Sequence, residues 1–348
     1  MPHIPRHSFD RAHAQSILGT YRKRRELVLK MLPQDSSRLA PLVEIGRVLG
    51  YLVAALGPVD EECLAALRLG AQAGAALFAL GRSEGKALRL PVGDRVVELA
   101  HHADGSSLHG GKWNEAYTLA TLTGDTASLA LLAAVPIELL RRSSSRGPEY
   151  AYLMAEAKRS SLLCDGREEE WLLAALRAAD PDQVDDEAAE IILNMQTPTM
   201  EVWFALLDGD RAALDAALEK KLRLHARFFD TAALRSEPEG FLSGDALALM
   251  VRARLAGLSP GVTSDYAPAA IVDAGAAARA QLLLCPYCLT PIVADAVCCP
   301  GCLLDPRDDA PFEMDDRDLA AAPRKPCRAC ATHLLGVAIT CPSCRTRQ

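Results

Sequence analysis

The sequence predicts a mostly α-helical protein: a multi-helical array of packed helical hairpins with one small β-hairpin, followed by two small cysteine-built modules. Three observations predict it. Apolar residues recur every three or four positions through much of residues 8–280, one short stretch alternates instead, and eight of the eleven cysteines form four CxxC pairs after residue 281.

The helical elements can be justified in order. Arg22-Lys-Arg-Arg25 lies on a helix whose apolar face holds Leu18, Leu27 and Leu29, so the basic run is its solvated side. Leu39, Leu42, Gly46, Leu49, Val53 and Leu56 share one helical face, and Leu64, Leu67, Ala71, Ala75 and Phe78 repeat the pattern. The alanines and glycines of this second segment let a neighbouring helix approach closely. Ala87–Ala100 alternates apolar and polar residues around Gly93–Asp94, which reads as a β-hairpin, with Pro91 confining one strand to an edge. Leu122-Thr-Gly124-Asp125 and Leu207-Asp-Gly209-Asp210 each end one helix and begin another. Glycine takes the left-handed stop, aspartate caps the next helix, and Leu129 and Leu214 follow at the same offset. Asp180–Pro181 and Thr197–Pro198 carry a capping side chain before a first-turn proline. Trp113, Trp171 and Trp203 read as packing residues. No sustained repeat period supports a regular solenoid.

Near residue 282 the composition changes to Cys-Pro pairs, short β-favouring runs and an acidic stretch. Cys285-Pro-Tyr-Cys288 is followed after ten residues by Cys299-Pro-Gly-Cys302, and Cys327-Arg-Ala-Cys330 after ten by Cys341-Pro-Ser-Cys344. Each ligand of the second unit lies 42 positions after its counterpart, an internal duplication in which Cys298 aligns with Thr340 and drops out of the ligand set. Zn²⁺ takes four thiolates in a tetrahedron at about 2.3 Å, and each CxxC supplies two sulfurs from one turn. The intervening residues, with Leu334, Leu335, Val337 and Ile339 about Gly336, suit a hairpin between the knuckles. Four cysteines leave no open coordination position, so the two expected Zn²⁺ ions are structural, and binding worth roughly 10–16 kcal/mol supplies the folding energy of units too small for a core. A thioredoxin-like redox role needs a βαβ setting that is absent. The expected organisation is therefore a helical domain over 1–280, zinc ribbons over 281–304 and 323–348, and an acidic flexible linker over 305–322.

The net charge of −7 argues against wholesale nucleic-acid binding, and neither part is strongly basic: 31 basic against 37 acidic residues before residue 281, 7 against 8 after it. Residues 323–348 hold Arg324, Lys325, Arg328, Arg345 and Arg347 without an acidic residue, which favours phosphate. The same region offers few aromatic stacking platforms, so nucleic acid remains the lesser expectation. The polar start MPHIPRHSFD lacks a signal-peptide core, and the apolar stretches are short or interrupted, so a soluble, cytoplasmic protein with no membrane association is expected.

Other signals fade. Gly81-Arg-Ser83-Glu-Gly85 imitates a nucleophile elbow, but a helix precedes it and a hairpin follows. The same stretch to Lys86 fails as a phosphate loop on spacing and on Ala87. His101, His102, Asp104 and His109 lack helical or knuckle spacing. No nucleophile, base and oxyanion set can be assembled, so the sequence predicts no enzyme and no catalytic residue.

Four ordered segments carry a family resemblance: Leu69–Phe78 running into the hairpin, Gly111-Lys-Trp113-Asn-Glu-Ala116, Val135-Pro-Ile-Glu-Leu-Leu140 and Ser264-Asp-Tyr266-Ala-Pro268. Across roughly residues 7–275 the chain resembles the immunity protein 49 family of bacterial polymorphic toxin systems. The resemblance implies a non-enzymatic helical protein that binds a cognate toxin, with loop residues 101–111 and the outer faces of the hairpins as candidate contacts. The zinc ribbons lie outside that family pattern, so their implied role is accessory. The rival expectation is a zinc-ribbon adaptor on nucleic acid or on the transcription and translation machinery.

Overall fold

A computed structural model describes residues 3–83, 85–100, 105–163 and 165–277, with four short strands at 282–284, 291–293, 324–326 and 333–335. The first helix, α1 (Arg11–Met31), is capped by Asp10, whose carboxylate accepts from the amides of Ala12 and His13. Its buried face holds Ala14, Leu18 and Val28, whereas Leu27 is 58% exposed. Of the apolar face expected from sequence, Leu18 is buried and Leu29 packs at the edge of the core, but Leu27 faces solvent and Val28 takes the inward position. The cause is the helical repeat, which sets Leu27 about two and a half turns from Leu18 and so on the opposite side, while Val28 lies about one turn before buried Leu32.

α2 (Leu39–Leu56) and α3 (Glu61–Arg82) form the centre. On α2 the predicted stripe is buried from Leu39 to Val53, with Leu56 partly buried at its end, and Val43, Ile45, Val48, Tyr51 and Leu52 are buried too, so the helix is enclosed nearly all round rather than on one face. Both helices are long and apolar enough to cross a membrane; 72% and 78% of those apolar windows are buried inside the fold. Gly46 permits the crossing, because a Cβ there would stand 2.5 Å from the Gly70 amide nitrogen and 2.6 Å from the Ala66 carbonyl oxygen. Gly74 likewise makes room for the Cβ of Ala116 on α4 (Gly110–Leu122).

The hairpin forms as expected, with β1 (Leu88–Val92) antiparallel to β2 (Arg95–Leu99), Val92 opposite Arg95, and Gly93 at φ +69° in the turn. Gly124 (φ +59°) and Gly209 (φ +70°) take the left-handed stops. Asp125 then caps α5 (Thr126–Ala133) and Asp210 caps α11 (Arg211–Phe229). Short α6 (Ile137–Arg141), α7 (Glu149–Leu163) and α8 (Glu168–Ala178) complete the middle of the chain.

Asp180 caps only a single 3₁₀ turn, Pro181–Gln183. Thr197–Pro198 corrects the expected helix start. The chain is helical from α9 (Asp186–Ile191) through a π turn (Ile192–Gln196) into α10 (Thr197–Asp208), without a capping break. Proline has no N–H to give to the ladder, and a widened turn absorbs that loss as well as a fresh helix start does.

α12 (Gly244–Leu255) and α13 (Ala269–Ala277) close the helical part. The N-terminus is tied to the segment before α13: Ile4 bridges Ser264 in parallel, and the Arg6 guanidinium donates to the carbonyls of Phe241 (3.0 Å), Ala55 (3.2 Å) and Asp265 (2.5 Å).

Further on, β3 (Leu282–Leu284) pairs antiparallel with β4 (Pro291–Val293), and β5 (Arg324–Pro326) with β6 (His333–Leu335). Leu282 faces Val293 and Arg324 faces Leu335, so the 42-residue duplication recurs in the backbone register. This places Leu334 and Leu335 in a strand paired with the residues before the first CxxC of their unit, whereas Gly336, Val337 and Ile339 of the expected hairpin lie outside the described residues. The proposed zinc ligands Cys285, Cys288, Cys299, Cys302, Cys327, Cys330, Cys341 and Cys344 all lie outside the described residues, as does the linker 305–322.

Candidate functional site

A cleft of about 680 Å³ opens among α2, α4, α7, α11, the π turn and the start of α12. Its chemistry begins on α11. The buried stripe Leu214, Leu218, Leu222 also carries Lys221 and His225, so helical spacing takes an ammonium and an imidazole inside with the leucines. Lys221 is fully buried, and its Nζ donates to the Met195 carbonyl at 2.8 Å. That carbonyl belongs to the π turn and also accepts from the Thr199 hydroxyl at 2.6 Å. π turns loosen the regular ladder and leave carbonyls for other donors.

On α7 the stripe Met154, Ala155, Lys158 brings in a second ammonium. The Lys158 Nζ stands 5.1 Å from the centre of the Tyr117 ring, and it has no hydrogen bond or ion pair with a described residue. At the start of α12, Ser243 occupies the N-cap, yet its hydroxyl makes no capping bond and is buried without a partner. Its amide donates to the Tyr266 carbonyl at 2.9 Å, which fixes the helix start. Asp245, one turn in, lines the cleft and makes no hydrogen bond or ion pair among the described residues. His225 donates from Nε2 to the Gly240 carbonyl at 3.1 Å, leaving Nδ1 as an unpartnered acceptor.

Burial governs the titration of these groups. It pulls Lys221 down to about 8 against the opposing Asp245 carboxylate. Lys158 is lowered by the same burial, with Asp245 again opposing and Arg252 adding to the effect. Burial first, then the neighbouring Lys221, takes His225 down to about 3, so its ring is neutral at ordinary pH. Tyr51 on α2 is pushed up by burial and stays a phenol.

Beside this cluster runs a closed ion-pair network. Arg47 binds Glu115 at 2.7 Å and Glu239 at 2.6 Å, and Lys112 binds the other Glu115 oxygen at 2.7 Å. Burial pushes Glu115 upward, but Arg47 and Lys112 together hold it below the usual carboxylate range. The cleft therefore offers two buried ammonium groups, a serine hydroxyl, one free carboxylate and one ring acceptor within mostly apolar walls. That arrangement can hold a charged ligand. It resembles no nucleophile, base and oxyanion set.

The residues singled out from sequence fall elsewhere. Ser83 is buried at the end of α3, its hydroxyl 2.9 Å from the carbonyls of Leu80 and Lys86, so it is no nucleophile elbow. His109 caps α4 by accepting from the Lys112 amide at 3.3 Å and borders the cleft, whereas His101, His102 and Asp104 lie outside the described residues. Trp113 and Trp203 are buried, donating to the Leu132 carbonyl and to Glu168, and Trp171 packs against the core beneath Arg167. Cys63 is a buried free thiol that burial pushes up to about 12, an inert packing residue. Among the described residues no group of three or more His, Cys, Asp or Glu is placed to hold a metal ion. The lysines at the cleft were missed, although Lys158 and Lys221 occupy apolar positions in their helical stripes, which is the signal that finds them.

No curated protein and no solved structure matches the chain. One family model does, that of immunity protein 49, over residues 55–271. The match runs from the end of α2 to the first residues of α13 and takes in most of the cleft, and by it the chain belongs to the immunity protein 49 family.

Proposed function

We propose that this protein protects the cell that makes it by binding a cognate toxin directly, in the cytoplasm and without catalysis. The observation that carries the reading is the family match over residues 55–271, which covers most of the helical body and implies immunity against a toxin. The charge supports it: residues 1–280 carry 31 basic and 37 acidic residues, a surplus that speeds encounter with a basic toxin face.

The two four-cysteine units belong to the same proposal as accessory zinc ribbons. Eight cysteines at duplicated CxxC spacing fit two structural Zn²⁺ ions, and the repeated pairing of β3 with β4 and of β5 with β6 supports two copies of one unit. Cys285, Cys288, Cys299 and Cys302 would hold one ion, and Cys327, Cys330, Cys341 and Cys344 the other.

The test is survival of cells expressing the toxin domain encoded beside this gene, with residues 1–280, with the full chain, or with neither. Rescue by 1–280 is expected. Rescue by the full chain alone would move the ribbons into the mechanism. Failure of both against a demonstrably toxic neighbour would sink the reading for that pair and turn attention to nucleic acid at the basic segment 323–348.

A further inference from the structure

The cleft between α7, α11 and α12 gathers buried polar groups among apolar walls. Two of its polar side chains, Ser243 (2% exposed) and His225 (1%), keep a buried hydrogen-bonding atom without a partner among the described residues, and a third, Lys158 (6%), sets its ammonium against the Tyr117 ring with no hydrogen bond to a described residue. Buried polar groups are normally satisfied, and an unpaired buried ammonium is among the costliest exceptions. Asp245, which lines the same cleft, makes no hydrogen bond or ion pair among the described residues, although its charge acts on both Lys158 and Lys221. The volume of about 680 Å³ falls within the range of small-molecule sites, which are mostly apolar with a few convergent polar groups.

Charge selects among ligands. Arg47 and Lys112 are balanced by Glu115 and Glu239. What remains in the interior is Lys158 and Lys221 against Asp245, an excess of a single positive charge, with exposed Arg146 adding attraction at the cleft lining. A monoanion neutralises that excess; a phosphate dianion would set surplus negative charge beside Asp245. The spare acceptors, His225 Nδ1 and the Asp245 carboxylate, call for a donor on the ligand. Tyr150, Met154, Phe228 and Leu242 supply apolar wall.

We propose that this cleft binds a carboxylate carrying a nearby N–H on an apolar body, with Lys158, Lys221 and Ser243 receiving the carboxylate and Asp245 and His225 receiving the N–H. Two sources present that group: a free N-acylamino acid and the C-terminus of a polypeptide. The inference stands apart from the toxin reading, since the survival assay and ligand binding succeed or fail separately.

Calorimetric titration of the full chain with the N-acetyl derivatives of L-phenylalanine, L-leucine and L-methionine, with their C-terminal amides and with inorganic phosphate tests it. At least one acid is expected to bind, its amide weaker by about tenfold or more, and phosphate weaker still. Lys158→Met is expected to lose binding by a similar factor while its melting temperature rises, because an unpaired buried charge has gone; a merely structural lysine would show the reverse. A short peptide with the same terminal residue and a free carboxylate separates the sources, binding more tightly than the N-acetyl acid if a polypeptide end is the natural occupant and equally if a free molecule is. Equal binding of acid and amide, preference for phosphate, or no acid bound at millimolar concentration would each overturn the proposal, and these comparisons need no variant.

Discussion

Lys221 and His225 lie four residues apart on one buried stripe, and the lowering of both makes stability rise with pH in two separate windows. Folding lowers Lys221 from 10.5 to about 8, so between those values the unfolded chain holds more protons and stability climbs as pH rises. His225 falls from 6.5 to about 3, so its contribution is complete above 6.5 and is lost as pH drops towards 3. Each slope reaches at most about 1.4 kcal/mol per pH unit. Urea unfolding across both windows is expected to show a flattened alkaline climb in Lys221→Met and a flattened acid decline in His225→Gln, which keeps a donor for the Gly240 carbonyl. Parallel profiles for parent and variants would mean that these groups are not held as described. At this scale the sequence was half legible. Lysines inside apolar stripes were visible, but long side chains on such stripes usually reach out to water, and only the packing of α11 beneath the π turn denies Lys221 that exit.

Helix contacts were the most readable level, because small residues state how close two backbones come. At Gly46 an added Cβ would meet backbone atoms of α3, which cannot swing aside, so Gly46→Ala is expected to destabilise by about 2–3 kcal/mol. Gly19 on α1 has nothing within 4 Å of its Cβ position, so Gly19→Ala is expected to stabilise by about 0.5–1 kcal/mol through helix propensity. Thermal or urea unfolding of the pair checks both signs; two substitutions of like effect would contradict the α2–α3 crossing. The left-handed stops at Gly124 and Gly209 and the turn at Gly93 were equally legible, since each needs a positive φ that glycine adopts without strain. Thr197–Pro198 misleads because a proline without an N–H fits a new helix start and a π turn alike, and only Lys221 and Thr199 meeting at the Met195 carbonyl tell them apart. On α1, counting at 3.6 residues per turn from Leu18 already turns Leu27 to the opposite side, so grouping Leu18 with Leu27 on one face misreads the period.

The whole molecule joins an enclosed helical body to a cysteine-rich C-terminal region of different chemistry. The body was legible as an ordered series of helical segments, and the cleft was not, because its residues come from helices far apart in sequence. Arg47, Lys158, Lys221 and Asp245 meet only once α2, α7, α11 and α12 have packed. For the C-terminal region the expected zinc content is two ions per full chain. Cys344→Ser is expected to lower it to one and Cys285→Ser with Cys344→Ser to abolish it, as elemental analysis of the purified protein would show; metal content indifferent to these cysteines would refute the ribbons. The central claim is neutralisation by binding, and the most direct measurement is titration of the purified toxin domain with this protein while toxin activity is followed. A stable complex, with inhibition complete at one molecule of protein per toxin, is the predicted result. Inhibition by a small fraction of an equivalent, or protection without a complex, would show that the protein acts by turnover or on another target, and would contradict the account.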